Sequence, residues 1–313
     1  MITPSLKVVF FSTPEISISF LDALVKNSLA PALVVSQPNR PVGRKRVLTP
    51  PPVKLAALRH GLPVLQIATF KDPSIVEQLR SINADVFVVV AFGLIFPKSI
   101  LELPKFGCLN LHASLLPKYR GASPIQWAVL SGDNVTGWTL MKMDPGLDTG
   151  PILSQIEVSI EPNETTPSLT ARLAAVGGDW LAQQLPKYIQ GELHPQPQDN
   201  SLSTATTLLR KESGRLDWSQ PAVNLERQIR AFQPWPGSYT QWQEIKIEIL
   251  SATATNEIVN QPPGTVFESD GRIGIATAQG VLWPITIKPA SKNSQSIQDF
   301  VRGHSGFLGS RLG

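Results

Sequence analysis

Residues Val86–Ala113 read VFVVVAFGLIFPKSILELPKFGCLNLHA, and the rhythm of apolar residues along them decides the fold. VFVVV (Val86–Val90) is a continuous apolar run, long enough for a strand buried on both faces and too short for a core helix. PKSILELP then spaces its apolar residues as a helix does, and CLNLHA (Cys108–Ala113) returns to a strand. Parallel neighbours in a sheet need a crossover of about a dozen residues or more, usually helical, so strand–helix–strand over this length is a parallel-sheet unit.

The same alternation runs outward to the amino terminus. KVVFF (Lys7–Phe11), ALVVS (Ala32–Ser36) and VLQI (Val64–Ile67) read as strands; EISISFLDALVKN, VKLAALRHG and PSIVEQLRSI read as helices. A doubly wound α/β domain is predicted, covered by helices on both faces, with ligands at the carboxyl ends of its strands. The turn after the first strand, FSTPE, lacks Gly-x-Gly-x-x-Gly, which argues against a dinucleotide cofactor.

Beyond WTLMKM and GPILSQIEVSI, residues Thr166–Gln190 read as a helix. Gly191–Leu208 (GELHPQPQDNSLSTATTL) is polar and rich in Pro, Ser and Thr, so it reads as a linker between a domain at 1–190 and another at 209–313. In the latter AVNLERQIRAF forms a helix, while IKIEIL, GTVFES, RIGIAT and VLWPITI are short strands separated by turn signals. A small β-barrel is expected. The length of 313 residues suits two domains.

No apolar run reaches the length of a membrane helix, and LKVVFF reads as a first core strand rather than a signal peptide. With Cys108 as the single cysteine no intrachain disulfide forms, which fits a reducing cytoplasm; Cys108 reads as a core residue. The net charge is +4, but no acidic residue lies between Asp22 and Asp72, a window holding Arg40, Arg44, Lys45, Arg46 and Lys54. That asymmetry points to an anionic partner, nucleic acid first. Within the window Gln37–Pro52 (QPNRPVGRKRVLTPPP) reads as a long exposed loop, because its prolines and Gly43 oppose an ordinary βα turn.

Asn110 and His112 stand two residues apart on a predicted strand, so their side chains share a face near its carboxyl end. An amide and an imidazole converging there are the donors that an oxyanion needs during acyl transfer. MDPGLDTG supplies two carboxylates, Asp144 and Asp148, the second flanked by Gly146 and Gly150 on a turn that lets other groups approach closely. Taken singly, Asn-x-His is also the pattern of a satisfied polar pair, and an aspartate between glycines that of a turn residue.

Together, NLHASLLPKYRGASPIQWAVLSGD and TGWTLMKMDPGLDTGPIL closely resemble the folate-dependent formyltransferases, with their Asn-x-His, Ser-Leu-Leu-Pro and distal Asp signatures. QPNRPVGRKRVLTPPPVK and KESGRLDWSQPAVNLERQIRAFQPWPGSY extend the resemblance to the branch that acts on tRNA. It implies a Rossmann-like catalytic domain with a parallel-rich sheet, followed by an OB-like C-terminal barrel that binds tRNA. The implied reaction is formyl transfer from 10-formyltetrahydrofolate to the α-amine of methionyl initiator tRNA. Asn110 and a protonated His112 would hold the oxyanion, and Asp148 would keep His112 charged and assist proton removal from the amine. Ser114, Leu115, Leu116 and Pro117 match the folate-contacting segment. Arg44 matches the family's loop arginine, with Arg40, Lys45 and Arg46 expected beside it on the tRNA. No metal is required, and a cytoplasmic monomer with no membrane partner is expected.

The chain departs from the family pattern at Ser12, where Gly-Thr-Pro usually follows the first strand, and at Asn39 and Lys45, where the loop usually carries Asp and Gly. The alternative within enzymes is a folate-dependent formyltransferase for a small amine, an amino sugar or a glycinamide nucleotide, which would need neither the basic loop nor a second domain. An RNA-binding protein with a relict catalytic domain is disfavoured by retention of the whole trio.

Overall fold

The computed structural model describes residues 6–43 and 45–313, which fall into two compact units. One comprises Met1–Pro124, Thr136–Ser159 and Thr170–Thr206; the other comprises Ile125–Val135, Ile160–Leu169 and Thr207–Gly313.

The first unit is built on seven strands: β1 (Val8–Ser12), β2 (Leu33–Ser36), β5 (Val64–Gln66), β6 (Val86–Val90), β7 (Cys108–His112), β9 (Val135–Lys142) and β10 (Ile152–Ser159), in the order β10-β9-β7-β6-β1-β2-β5. From β5 to β7 every pairing is parallel, and β9 joins β7 antiparallel. The helices are α1 (Ile18–Lys26), α2 (Pro52–Arg59), α3 (Pro73–Ser81), α4 (Lys98–Leu101), α5 (Pro124–Ser131, most of it grouped with the other unit) and α6 (Thr166–Ile189). Strands β1 and β6 are buried along their whole length, which is why they read as unbroken apolar runs.

Alternation sends Val9 and Phe11 of β1 and Phe87 and Val89 of β6 to one face, where they meet Leu79, Phe92, Phe96, Ile100 and Cys108. The Phe11 ring centroid lies 5.0 Å from that of Phe87 and 5.1 Å from that of Phe96. Each such ring contributes roughly 1.5–3 kcal/mol by leaving water. Burial pushes the Cys108 thiol up to about 12, as suits a core residue. Helix α6 lies against α1 where Gly178 leaves room: a Cβ there would meet the Ser19 carbonyl oxygen at 2.5 Å.

Two segments differ from their sequence reading. Gln37–Pro52 contains a short antiparallel hairpin, β3 (Arg40–Val42) paired with β4 (Val47–Thr49), exposed along both strands. Val42, Val47 and Leu48 favour an extended backbone, and Gly43 turns it with φ of 72°; the prolines had masked that signal. Arg44 lies outside the described residues. Gly191–Leu208, expected to be a plain linker, is bonded to the first unit. Gln196 and Ile152 exchange two backbone hydrogen bonds of 2.8 Å, and β11 (Ala205–Thr206) pairs in parallel with β8 (Arg120–Gly121).

The second unit carries α7 (Ala222–Ala231), whose buried Ala222, Leu225 and Ile229 have helical spacing. Its strands β12 (Ser238–Trp242), β13 (Ile245–Thr255), β14 (Val266–Ser269), β15 (Arg272–Ala276) and β16 (Val281–Pro289) run in the order β12-β13-β16-β15-β14, all antiparallel. Strand β17 (Gln295–Ser296) pairs with β16 and leads into α8 (Ile297–Gly303). The order leaves β12 and β14 as edges. The last residues bond to both: Val266 N–H donates to Ser310 O at 2.9 Å, and Gln241 N–H to Gly313 O at 3.0 Å. Trp218, Trp242, Phe300 and Phe307 anchor this unit's core.

Candidate active site

Strand β7 ends in the sheet's interior, with Val89 opposite Asn110 on one side and Met141 on the other. Its alternation turns Asn110 and His112 to the same face, as expected. The turn between β9 and β10 brings up the carboxylates, and their roles separate there. Asp144 stays within the turn, accepting from Gly146 N–H at 3.0 Å and from the Thr149 hydroxyl at 2.8 Å. Asp148 reaches the strand. Its backbone sits in the left-handed region, φ 52°, which aspartate tolerates better than most residues. Gly150 is needed beside it, because a Cβ there would lie 1.9 Å from the Lys142 carbonyl oxygen.

The Asp148 carboxylate has a partner on each oxygen. Oδ1 accepts from Asn110 Nδ2 at 3.3 Å, and Oδ2 accepts from Gly121 N–H at 2.9 Å. Oδ2 also lies 3.6 Å from His112 Nδ1, with the two side chains only 14% and 7% exposed. The other ring nitrogen, Nε2, is 2.8 Å from the Tyr119 carbonyl oxygen. A carbonyl only accepts, so Nε2 carries a hydrogen. Nδ1 faces a carboxylate, so the imidazolium form can donate at both ends. Asn110 has a second amide hydrogen for which no protein acceptor is found among the described residues.

Ser114–Pro117 adjoin the trio as a rigid turn. The Ser114 hydroxyl donates to Lys118 O at 2.6 Å, so it serves the turn. The Thr139 hydroxyl, fully buried and opposite His112 on β9, donates to Ser114 O at 2.6 Å and accepts from Leu116 N–H at 3.0 Å. Gln155 Nε2 donates to that same hydroxyl and to Leu116 O, both at 2.9 Å. Leu116 is buried, and Leu115 and Pro117 are half-buried. Thr139, Gln155 and the Tyr119 carbonyl were not among the sequence candidates. Only a buried polar threonine inside an apolar strand hinted at the first.

Arg40, Lys45 and Arg46 are exposed on the β3–β4 hairpin; the Arg40 guanidinium donates to Gln37 Oε1. The hairpin follows β2, three strands from β7 on the same carboxyl edge, a distance of about 14 Å at roughly 4.8 Å per strand. Its base is held by amides: Gln66 Nε2 donates to Asn39 Oδ1 at 3.0 Å, and Lys54 Nζ to Gln66 Oε1 at 2.7 Å. Asn39, where the family usually has Asp, therefore still accepts a bond. The hydroxyl of Ser12, another departure, is fully buried with no partner among the described residues. No cluster of three or more His, Cys, Asp or Glu side chains able to hold a metal ion occurs among the described residues.

Residues 6–185 match the sequence model of the formyl transferase family, and residues 208–305 match that of the formyl transferase C-terminal domain. A methionyl-tRNA formyltransferase of Chloroflexus aggregans is 45% identical over 293 residues, spanning 93% of this chain and 95% of its own. One from Myxococcus xanthus is 45% identical over 300 residues, 95% of each chain. Among solved structures, an N-formyltransferase from Helicobacter canadensis, in complex with folinic acid and dTDP-3-aminofucose, superposes with a TM-score of 0.67. It is 18% identical and matches over 89% of this chain and 98% of its own, a likeness of fold.

Proposed function

The chain belongs to the formyl transferase family, and from that premise we propose that it transfers the formyl group of 10-formyltetrahydrofolate to the α-amine of methionyl initiator tRNA. The product is N-formylmethionyl-tRNA for translation initiation. The observation that carries the chemistry is the Asp148 carboxylate shared between the Asn110 amide and the His112 ring. The similarity to methionyl-tRNA formyltransferases over nearly the whole chain supports the acceptor.

The residues present suit a formyl donor as substrate. The amine nitrogen attacks the formyl carbon, and the carbonyl electron pair moves onto oxygen. The second Asn110 amide hydrogen is available to that oxygen. His112 Nε2–H joins it by leaving the Tyr119 carbonyl, while Nδ1 stays against Asp148. Donors aimed at the developing charge are each worth on the order of 10²–10³ in rate. Asp148 accepts the proton given up by the attacking nitrogen. Collapse then breaks the bond to N10 of the folate; N10 takes up the proton that Asp148 received, so tetrahydrofolate leaves and the carboxylate is restored. Ser114–Pro117, held by Thr139 and Gln155, form the wall against which the folate lies.

On this reading Arg40, Arg44, Lys45 and Arg46 contact the tRNA from the hairpin, and residues 209–313 form a second docking surface beyond the catalytic domain 1–190 and the segment 191–208. The protein works in the cytoplasm as a monomer; no helix among the described residues is long and apolar enough to cross a membrane. A small-amine acceptor would leave the basic hairpin without a role.

The test is direct. Purified protein is given 10-formyltetrahydrofolate with methionyl initiator tRNA, methionyl elongator tRNA, free methionine or an amino sugar nucleotide. Rapid formylation of the first alone is expected. Preference for a free small amine would overturn the reading.

A further inference from the structure

Asp148 sits on a turn whose neighbours Pro145, Gly146 and Leu147 are exposed, in a backbone conformation that L residues rarely hold unaided. Its restraint comes from far along the chain. Gln198 uses both hydrogens of its amide there: Nε2 donates to Asp148 O at 2.8 Å and to Gly150 O at 2.7 Å. Its Oε1 accepts from Arg120 Nε at 2.9 Å. Arg120 lies between the two backbone groups that complete the site, the Tyr119 carbonyl on His112 and the Gly121 N–H on Asp148.

We propose that Gln198 is a positioning residue for the catalytic pair, because its one side chain ties the turn carrying Asp148 to the loop that caps His112. The segment around it is itself anchored. Arg120 Nη2 donates to Asn200 Oδ1 at 2.9 Å, Tyr119 N–H to Thr204 Oγ1 at 2.8 Å, and Arg120 N–H to Thr204 O at 2.8 Å. The stretch that looks like a passive linker in the sequence is thus an outer wall of the active site. An amide is the fitting group here, since it presents two donors to two carbonyls and an acceptor to a guanidinium from one rigid plane. Glutamate has the same size and would hold Arg120 more tightly, but it would set a carboxylate against two carbonyl oxygens.

The inference rests on the proposed reading for its rate effect and is independent of it for its structural effect, so both are measured on the full chain. Gln198→Ala is expected to lower the single-turnover formylation rate by about 10²-fold, the usual consequence of a misplaced catalytic group. Gln198→Glu should fall further, with the KM for the formyl donor nearly unchanged in both. Without any substrate, exchange of the Gly121 amide hydrogen should quicken at least about tenfold in Gln198→Ala, because its acceptor, Asp148 Oδ2, is no longer held. Should that variant fail to fold, Gln198→Met, which keeps the stem and loses the amide, carries the same comparison. An unchanged Gly121 exchange rate, or a Glu variant more active than the Ala variant, would overturn the proposal. If the unaltered chain formylates no methionyl-tRNA while Gly121 exchange still quickens in Gln198→Ala, the reaction has been misassigned and the positioning of Asp148 stands.

Discussion

Replacing Asp148 by asparagine keeps the shape of the site and removes its charge, which makes the cost calculable. Oδ2 lies 3.6 Å from His112 Nδ1, and both side chains are largely shielded from solvent. At an effective dielectric of about 20, opposite unit charges at that distance attract by roughly 4–5 kcal/mol. A tenfold change in rate is about 1.4 kcal/mol, so loss of this partner for the imidazolium should slow formyl transfer by about 10³-fold. Hydrogen bonding adds to the loss. The new amide places a donor either against Asn110 Nδ2 or against the Gly121 N–H and His112, whichever way it is turned. The assay is single-turnover formylation of methionyl initiator tRNA, with formyl-folate and tRNA affinities measured separately and expected to change little. Adding His112→Ala to Asp148→Asn should cost far less than it does alone, since the two act as one unit. A rate within tenfold of the unaltered protein, or full additivity of the two losses, would refute the assignment.

Other consequences are as specific. Alanine at Arg40, Lys45 and Arg46 should weaken tRNA binding and flatten its log–log salt dependence by up to about 0.9 per lost phosphate contact, leaving formyl-folate binding intact; an unchanged slope means the hairpin does not touch phosphate. Thr139→Val strands the buried Leu116 N–H and Ser114 carbonyl, and urea titration should show about 2–4 kcal/mol of lost stability. Cys108, its thiol pushed up from 9.0 to about 12 by burial, should resist thiol reagents until the chain unfolds. Because the folded value is the higher one, its contribution to stability is complete below pH 9.0 and fades as pH rises toward about 12; rapid labelling of the native protein at pH 8 would contradict that burial.

The doubly wound sheet was legible because continuous apolar runs and helical spacing are local properties, and β1, β2, β5, β6 and β7 fall where those runs do. Asn110 and His112 were legible for the same reason, since two residues on one strand share a face whatever surrounds them. Asp148 required the resemblance to the family, since flanking glycines are also the pattern of an ordinary turn residue. Folding separates the two: one carboxylate closes its own turn and the other reaches β7. The hairpin at Arg40–Thr49 was hidden by Pro41 and by the prolines that flank it, whose local signal is a turn even though an exposed edge accommodates Pro41. What only the tertiary structure decided are bonds that no local pattern announces: Tyr119 O on His112 across a turn and, over longer stretches of chain, Thr139 beneath Ser114 and Leu116, and Gln198 across Asp148, Gly150 and Arg120. Their partners are ordinary polar residues with no periodicity to mark them. Their geometry exists only once the sheet has brought separate carboxyl-end loops together.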